Sequence, residues 1–330
     1  MPDTLVNTEV IKNAVQLACR APSLHNSQPW RWISVDNSVE LRLDKDRVLY
    51  STDHSGREAL LGCGAVLDHF RVAMAAGGWT TRVDRFPNPN DPLHLASIEF
   101  SPLEFVTEGH QLRADAMRRR RTDRLPFAEP PDWDSMESQF RRTVAAHHVR
   151  VDVVADDLRP ELAKASQLTE SLRLYDSSYH DELSWWTGDF EVSDGIPNSS
   201  LASTAESDRV DVGRPFPVAS DTDRRPQYGR DHSKIVVLST DDAERASVLQ
   251  CGEALSAVLL DATMGGLATC TLTHITELHA SRDLVATLIE QTTTPQVLVR
   301  VGLVPDTEDP QPATPRRPID EVFQVRVQEQ

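Results

Sequence analysis

The feature that most constrains the fold of this chain is an internal repeat at an offset of 188 residues. Residues 51–79 align without gaps with residues 239–267, and ten of the 29 aligned positions are identical. A repeat of this length predicts two related structural units, the alternative being coincidence between two Ala/Leu-rich helices. The identical pairs are Ser51/Ser239, Thr52/Thr240, Asp53/Asp241, Arg57/Arg245, Leu61/Leu249, Cys63/Cys251, Gly64/Gly252, Leu67/Leu255, Gly77/Gly265 and Gly78/Gly266.

Both copies predict the same strand and helix pattern. An extended segment, 47–50 or 234–238, ends at Ser-Thr-Asp, where Thr or Asp can cap a helix. Apolar residues then recur at helical spacing until a Gly-Gly pair, which can end a helix in the left-handed conformation. Gly64 and Gly252 lie inside these helices, where glycine costs about 1 kcal/mol relative to alanine. We therefore expect each helix to pack closely against another helix, most simply its counterpart.

This pattern predicts an α+β fold of two tandem halves that form an intrachain pseudo-dimer. Strand-like segments follow the repeat helices at 80–83 and 268–273. A run of four arginines and several prolines separates a first half, 1–117, from a second half, 118–330. Within the second half, about 176–230 is rich in Asp, Ser, Pro and aromatic residues. A structureless loop of that length is uncommon in a compact domain, so we expect partial helix or a cover (a lid) over a site.

The charge balance argues against two classes of partner. The chain has 51 acidic and 34 basic residues, a net charge of −17, which would repel nucleic acid and anionic membrane. Its four cysteines show no C-x-x-C spacing, which indicates reduced thiols. Residues 1–20 do not resemble a signal peptide, and no apolar run approaches the roughly 20 residues of a membrane span. We therefore expect a cytoplasmic protein.

The segment Ala21–Trp32, APSLHNSQPWRW, carries the most specific chemical information. It follows an amphipathic helix, and its hydroxyl and amide groups could pair with the polar edge of a flat heterocycle. Without that role, the residues would form a capping turn before an ordinary strand. The segment resembles the Pro-Ser-x-x-Asn-Ser-Gln-Pro-Trp loop of the FMN-dependent nitroreductase superfamily. The resemblance implies that five residues bind FMN, namely Pro22, Ser23, His25, Asn26 and Gln28.

The segment 118–127, RRRRTDRLPF, is similar to the family's Arg-x-Ser-x-Arg motif, which binds the FMN phosphate. The match departs from the family pattern in having Thr for Ser and one extra residue before Phe127. Guanidinium groups and a hydroxyl suit a phosphate dianion. The alternative is a solvated arginine run. The resemblance implies phosphate contacts from Arg120, Arg121, Thr122 and Arg124.

Two further segments extend the resemblance. The segment 314–319, TPRRPI, is similar to the family's closing basic segment, which implies that Arg316 and Arg317 complete the phosphate clamp. The clamp would join positions about 195 residues apart. The segment after Gly265-Gly266-Leu267 resembles the turn and strand whose backbone approaches the flavin ring in that family. It implies flavin contacts from Thr271, Leu272 and Thr273.

Other kinds of site receive little support from the sequence. His274 and His279 are five residues apart and would point away from each other on one helix, so no metal site is predicted. Cys63 and Cys251 lie in apolar stretches, where thiols are usually inert. No phosphate-binding loop or Gly-x-Gly-x-x-Gly motif occurs. No catalytic side chain is assigned, because a flavin supplies its own redox chemistry.

The resemblance covers most of the chain but divides between the halves. The first half carries the Asn-Ser-Gln-Pro-Trp loop, and the second carries the arginine motif and the closing segment. Ordinary nitroreductases form two sites from two identical chains, so this division implies one FMN in a monomer. The chain looks most like the Acg-type group of mycobacterial nitroreductase-like proteins, which have two fused halves and an added cover.

The implied activity is NAD(P)H-dependent reduction of a nitroaromatic or quinone acceptor through FMN. The alternative is an FMN-sequestering or storage protein. In that protein the cover would close the site and permit little or no turnover.

Overall fold

The computed structural model describes residues 6–188, 194–217, 220–305 and 313–326. Its helices and strands up to residue 119 are, in chain order, α1 (Thr8–Ala18), β1 (Trp30–Val35), β2 (Ser38–Leu43), α2 (Arg57–Ala76), β3 (Trp79–Arg85), β4 (His94–Pro102) and α3 (Glu108–Arg119). Those that follow are α4 (Trp133–Val144), β5 (Arg150–Val153), α5 (Arg159–Arg173), α6 (Ser177–Trp186), α7 (Thr204–Ser207), β6 (Lys234–Thr240), α8 (Arg245–Met264), β7 (Ala268–Leu272), α9 (His274–Glu277), α10 (His279–Leu288), β8 (Thr294–Gly302), α11 (Ile319–Val322) and β9 (Phe323–Arg326).

The strands form two sheets with corresponding strand orders. The first sheet runs β3-β4-β2-β1-β9, and the second, read from its β7 edge, runs β7-β8-β6-β5. Neighbours are antiparallel except β1 and β9, which pair in parallel. Setting β9 aside, β3, β4, β2 and β1 therefore correspond in order to β7, β8, β6 and β5. The α+β class is confirmed, and this shared order supports our interpretation of two related halves.

The two repeat helices, α2 and α8, pack against each other at their internal glycines. A Cβ atom added to Gly64 would lie 2.0 Å from the carbonyl oxygen of Leu249 and 2.8 Å from the Cα of Gly252. A Cβ atom added to Gly252 would lie 2.2 Å from the carbonyl oxygen of Leu61. Backbone therefore meets backbone at this crossing, which confirms the predicted close approach of the counterpart helices.

The Gly-Gly pairs end both helices as predicted. Gly78 and Gly266, the second glycine of each pair, have φ values of +85° and +75°. Strands β3 and β7 follow directly.

The prediction of an extended segment at 47–50 is wrong. The strand that corresponds to β6 is β2, and residues 44–56 form a longer connection of turns before α2 begins. This connection bonds to other elements, since Glu182 accepts hydrogen bonds from the backbone N–H groups of Ser51 and Thr52. Arg173 donates to the carbonyl oxygens of the same two residues. Their backbone groups are therefore satisfied outside the sheets.

The end of the chain returns to the first half. The segment predicted to alternate as a strand, 319–327, begins with the short helix α11 and continues as β9, while Val327 lies outside the described residues. Strand β9 pairs with β1 in the register Trp32–Phe323 to Val35–Arg326. The first sheet is thus completed by residues far away in sequence.

Helix α2 corrects the expectation that no apolar run approaches the length of a membrane span. It is 20 residues long and apolar enough to cross a membrane by length and composition. In the structure, 83% of its most apolar window is buried inside the protein. Its apolar character is explained by its position, because it packs against α8, α1 and α3.

The predicted boundary between the halves, 117/118, falls in the last turn of α3. From there the chain crosses to the second sheet, where Thr122 forms a bridge with Thr269. The division into 1–117 and 118–330 stays a prediction.

The glycine contact gives a stability prediction. Replacing Gly64 by Ala should lower the free energy of unfolding by about 3 kcal/mol or prevent folding, because overpacking here must displace a backbone. Gly109→Ala is the matched control, since that Cβ would meet only Thr107 Oγ1 at 3.7 Å within a helix. The control should be neutral or stabilising. Denaturant unfolding measures both, and equal stabilities would contradict the close contact.

Candidate functional site

A cavity of about 770 Å³ is lined by residues from both of the predicted halves. The first half contributes the loop 22–25 and the start of α2, including Leu61 and Gly62. The second half contributes part of the arginine motif, α5, the end of β7 and part of the predicted cover. Its volume is within the usual range for ligand pockets. Eight of the residues assigned from the sequence line it: Pro22, Ser23, His25, Thr122, Arg124, Thr271, Leu272 and Thr273.

The loop that carries Ser23 and His25 has an unusual backbone. His25, Asn26 and Gln28 have φ values of 49°, 60° and 51°, in the left-handed region that non-glycine residues rarely adopt. The Ser23 hydroxyl accepts a hydrogen bond from the backbone N–H of Gln28 at 2.9 Å. Trp30 follows with no exposed surface. A loop held in this conformation against a cavity is typical of a binding site.

Two buried histidines line the cavity with unsatisfied ring nitrogens. His25 is 5% exposed, and neither of its ring nitrogens has a partner among the described residues. His274 is 1% exposed; its Nε2 lies 2.7 Å from Ser166 Oγ, while its Nδ1 has no partner in the described part of the chain. Burial lowers the pKa of both histidines well below the usual value, with added repulsion from Arg214. They are therefore neutral near pH 7 and suited to a polar ligand.

The arginine motif meets the end of β7. Thr122 bridges to Thr269 at the start of that strand. Arg124, two residues further on, donates to the Ser200 carbonyl at 3.3 Å, and burial lowers the pKa of its guanidinium. The bridge to Thr269 therefore brings Thr122 and Arg124 to the same wall as residues 271–273.

Part of the predicted cover is fastened beside the cavity. Arg214 donates to Tyr179 Oη at 2.8 Å and forms an ion pair with Glu277. These contacts join the segment that carries Arg214 to α6 and α9. Because Arg214 also lines the cavity, the fastening holds this part of the cover at the cavity wall.

Among the described residues of the cover, Phe216 is the aromatic residue that lines the cavity. Its ring lies edge-on to that of His25, with centroids 6.2 Å apart, and the Arg124 guanidinium lies 5.2 Å from its centroid. Trp185 is 65% exposed and does not line the cavity, while Phe190 lies outside the described residues. The cover is thus partly helical, and Phe216 places an aromatic ring against the loop.

Six of the assigned residues are not part of the cavity lining. Asn26 donates from Nδ2 to the carbonyl oxygens of Gly195 and Pro315, both at 3.1 Å. Gln28 accepts from the backbone N–H of Arg317 at 2.9 Å. These bonds tie the loop to the cover and to the closing segment. The six residues are Asn26, Gln28, Arg120, Arg121, Arg316 and Arg317.

Arg120 and Arg316 come together behind the loop, and their binding of a phosphate stays a prediction. Both donate to the carbonyl oxygen of Arg20, at 3.2 and 3.1 Å, and Arg316 also reaches the Cys19 carbonyl at 2.8 Å. Burial and repulsion between the guanidinium groups lower the pKa of Arg120 to about 10 and that of Arg316 to about 9. Within the described ranges, none of Arg20, Arg120 and Arg316 pairs with a carboxylate. We call these three residues the arginine cluster.

Arg317 has a different environment from Arg316. Its guanidinium lies 3.6 Å from Asp44 and 3.3 Å from Glu321, so its charge is already balanced. Arg121 is half-buried and adjacent in sequence to the cluster. The phosphate roles assigned to these two residues stay predictions.

Several residues of the cavity wall were not identified from the sequence. Glu58, Ser166, Arg214 and Arg300 all line it, although none belongs to a motif that was recognised. Glu58 follows Arg57, one of the identical positions of the repeat, but the repeat did not single out Glu58 itself. Ser166 and Arg214 gave no comparable signal, because their helix and loop reach the cavity only through tertiary contacts.

His274 and His279 lie on two short helices, since α9 ends at Glu277 and α10 begins at His279. The single-helix geometry assumed from the sequence is therefore wrong. Glu277 is engaged by Arg214 and Arg173. In the described part of the chain, no three potential ligands form a group that could hold a metal ion. All four cysteines are buried and free.

Comparison with known proteins identifies full-length relatives. The chain is 77% identical over 329 residues to acg of Mycobacterium tuberculosis strain H37Rv, provisionally named an NAD(P)H nitroreductase, covering 100% of this chain and 99% of that protein. It is 36% identical over 326 residues to Rv3131 of the same strain, another provisionally named NAD(P)H nitroreductase, covering 96% and 92% of the two chains.

The fold has a counterpart among solved structures. A provisionally named nitroreductase from Anabaena variabilis superposes with a TM-score of 0.50 at 9% identity, over 89% of this chain and 73% of that one. No protein-family model matches the sequence. The fold supports the relationship, and the full-length sequence identity establishes it. The chain belongs to the nitroreductase family, together with the mycobacterial acg protein.

Proposed function

We propose that this protein binds one FMN in the cavity between its halves and uses it to reduce a small electron-poor acceptor, with NAD(P)H as the electron donor. The observation that carries the proposal is a group of three histidine ring nitrogens that lack partners among the described residues, beside the Ser23 loop and the end of β7. Unsatisfied buried polar groups are costly, so their concentration at one cavity supports a polar ligand. The acceptor classes that we propose are nitroaromatic compounds and quinones.

The residues present fit FMN in two places. The cavity offers neutral histidines, hydroxyl groups and the Arg124 guanidinium for the polar groups of a flavin. The arginine cluster offers positive charge that no carboxylate of the described residues balances, which suits a phosphate dianion. Bound flavin would supply electron transfer between donor and acceptor.

The chain itself has four tasks in this proposal. Ser23 and His25 orient the ring, and Arg124 contacts its polar substituents. The end of β7, at 271–273, sets the position of the ring plane. Phe216 excludes water from the side where the cover lies. Because one chain supplies all these groups, we propose a cytoplasmic monomer with a single site.

A second candidate function is FMN sequestration. It is favoured by the fastening of the cover, where Arg214 joins Tyr179 and Glu277 while Phe216 contacts His25. If this segment stays in place over a bound flavin, nicotinamide cannot reach the ring. The two functions share the cofactor and differ in access to it.

Access to the flavin separates the two functions. We expect the purified protein to show flavin absorbance that bleaches on anaerobic addition of NADPH. Bleaching only in Arg214→Gln, whose cover has lost its ion pair, would support sequestration instead. Arg230→Gln is the control, because Arg230 is an exposed arginine of the same region. A protein that binds no flavin after purification and reconstitution would contradict both functions.

The loop histidine gives a second test. His25→Asn keeps a residue that tolerates the left-handed backbone but shortens the side chain. We expect FMN affinity to fall about 10-fold, from the loss of about 1.4 kcal/mol of hydrogen bonding. His54→Asn, at an exposed position, is the control. Fluorescence titration of the apoprotein measures the affinities, and unchanged FMN binding in the His25 variant would argue against its role.

The arginine cluster can be tested with two ligands that differ only in the phosphate. Arg120→Ala combined with Arg316→Ala should weaken FMN binding about 100-fold or more, since charge-assisted bonds contribute about 1.5–3 kcal/mol each. Riboflavin, which lacks the phosphate, should lose much less affinity. Arg119→Ala, an exposed member of the same run, is the control.

The same cluster predicts a pH dependence. FMN binding should weaken as the pH rises through about 9, because the pKa of Arg316 is lowered to about 9 and its charge is lost there. Riboflavin binding should not show this dependence.

Equal losses of affinity for FMN and riboflavin in the double variant, or no change for either ligand, would contradict the assignment of the arginine cluster to the phosphate.

A further inference from the structure

Glu58 is a buried carboxyl group of the cavity wall that cofactor binding leaves unexplained. It lies in the first turn of α2, one turn before Leu61 and Gly62, which line the same wall. The residue is 4% exposed. A carboxyl group in this position needs either a dedicated counter-charge or a proton.

The neighbouring Arg57 is not dedicated to Glu58. Its guanidinium donates to the Gln296 carbonyl oxygen at 2.5 Å and to Gln296 Oε1 at 3.0 Å. It also donates to the carbonyl oxygen and hydroxyl of Thr276, at 3.1 and 3.0 Å, and to Glu58 Oε1. Four acceptors other than Glu58 therefore hold this guanidinium. Arg57 keeps its position whether or not Glu58 is ionised.

Asp53 supplies the geometric reason for a proton on Glu58. Asp53 is 2% exposed, and its Oδ2 accepts from the backbone N–H of Ala59 at 2.9 Å. Its Oδ1 is buried and receives no hydrogen bond from the N–H and hydroxyl groups of the described residues. The Glu58 carboxyl group lies within hydrogen-bonding reach of Asp53. A proton on Glu58 would give Asp53 the donor that it lacks.

The surrounding charges favour the same state. Arg57 and Arg282 of α10 face Glu58 with positive charge, while Asp53 and Glu277 of α9 face it with negative charge. Two carboxylates in contact cannot both ionise easily in a buried site. Burial, opposed by Arg57 and reinforced by Asp53, raises the pKa of Glu58 to about 8. Glu58 therefore carries a proton at neutral pH.

We propose that Glu58 is the catalytic acid of the cavity and donates its proton to an oxygen atom of a quinone or nitro acceptor. The proposal rests on the proposed reductase function and names a residue that performs one of its steps. A quinone takes up two electrons and two protons when it becomes a hydroquinone. Bound flavin reduced by NAD(P)H would supply two electrons and one proton together as hydride.

Glu58 supplies the second proton. Its own O–H bond breaks as an O–H bond forms on the acceptor, and the carboxylate left behind remains bonded to Arg57. Water then returns a proton to Glu58. For a nitro group, the hydride and the Glu58 proton together give a nitroso group and one water molecule, which carries away one of the two nitro oxygens. The Arg57 contact stabilises the carboxylate, and the Asp53 contact favours its reprotonation.

Infrared spectroscopy of the flavin-loaded protein tests the protonation state directly. The carbonyl stretch of a protonated carboxyl group is separate from the bands of a carboxylate. We expect such a band at neutral pH that disappears in Glu58→Gln and titrates in the wild type with a pKa of about 8. Asp68→Asn is the matched control and should keep this band, because Asp68 is a buried carboxyl group of the same helix and does not line the cavity. Absence of any band that depends on Glu58 would overturn the proposal.

Single-turnover kinetics tests the donation itself. The bound flavin is first reduced chemically and then mixed anaerobically with benzoquinone, so that no nicotinamide step is involved. Glu58→Gln should retain its FMN but reoxidise about 100-fold more slowly, the usual effect of removing a general acid. The wild-type rate should fall as the pH rises through about 8, because the pKa of Glu58 lies there and the acid form is lost, and the rate of the variant should not.

The failures of the two proposals are distinguishable. A wild-type flavin that benzoquinone cannot reoxidise would contradict the proposed reductase function, and the acid role would fall with it. Rapid reoxidation in both wild type and Glu58→Gln would overturn the role of Glu58 alone. A loss of rate in Asp68→Asn equal to that in Glu58→Gln would indicate a general effect of buried carboxyl groups and would also overturn it.

Discussion

The close contact between α2 and α8 is the constraint on which the rest of the structure depends. Because Gly64 and Gly252 bring two backbones together, the relative position of the halves is set by main-chain atoms. The same helices then reach the cavity, α2 through Leu61 and α8 through Leu255. The cavity consequently takes residues from both predicted halves, and its geometry follows from the crossing of two helices. Core contacts between backbones permit little adjustment, so this crossing restricts both sheets.

The repeat made much of this arrangement predictable. Identical residues at one offset identified both long helices, their glycine-pair ends and the strands that follow. Local sequence failed at 47–50, because the backbone that follows bonds to Glu182 and Arg173, which are over a hundred positions away. A prediction based on local propensity has no access to such partners.

The lining of the cavity was predicted in part. The loop motif identified Ser23, and the glycine-leucine turn identified 271–273, since both signals lie in contiguous residues. The sequence could not predict which way each arginine side chain points. Arg124 lines the cavity, while Arg120, four residues earlier, bonds to a carbonyl oxygen before the loop. The role proposed for Glu58 depends on its burial and on partners from other elements, which the sequence alone does not show. Tertiary placement, more than residue type, decides the chemistry of these charged groups.

The pairing of β9 with β1 has a consequence for how the protein is made. Trp32 of β1 leaves the ribosome long before Phe323 of β9, its partner in the parallel pair. The hydrogen bond from the Asn26 side chain to the Pro315 carbonyl oxygen likewise joins residues that are 289 positions apart. The loop that carries Ser23 and His25 therefore reaches its final conformation late in folding. Contacts of such high sequence separation slow folding, so a nascent chain would hold an incomplete cavity wall until both partners have emerged.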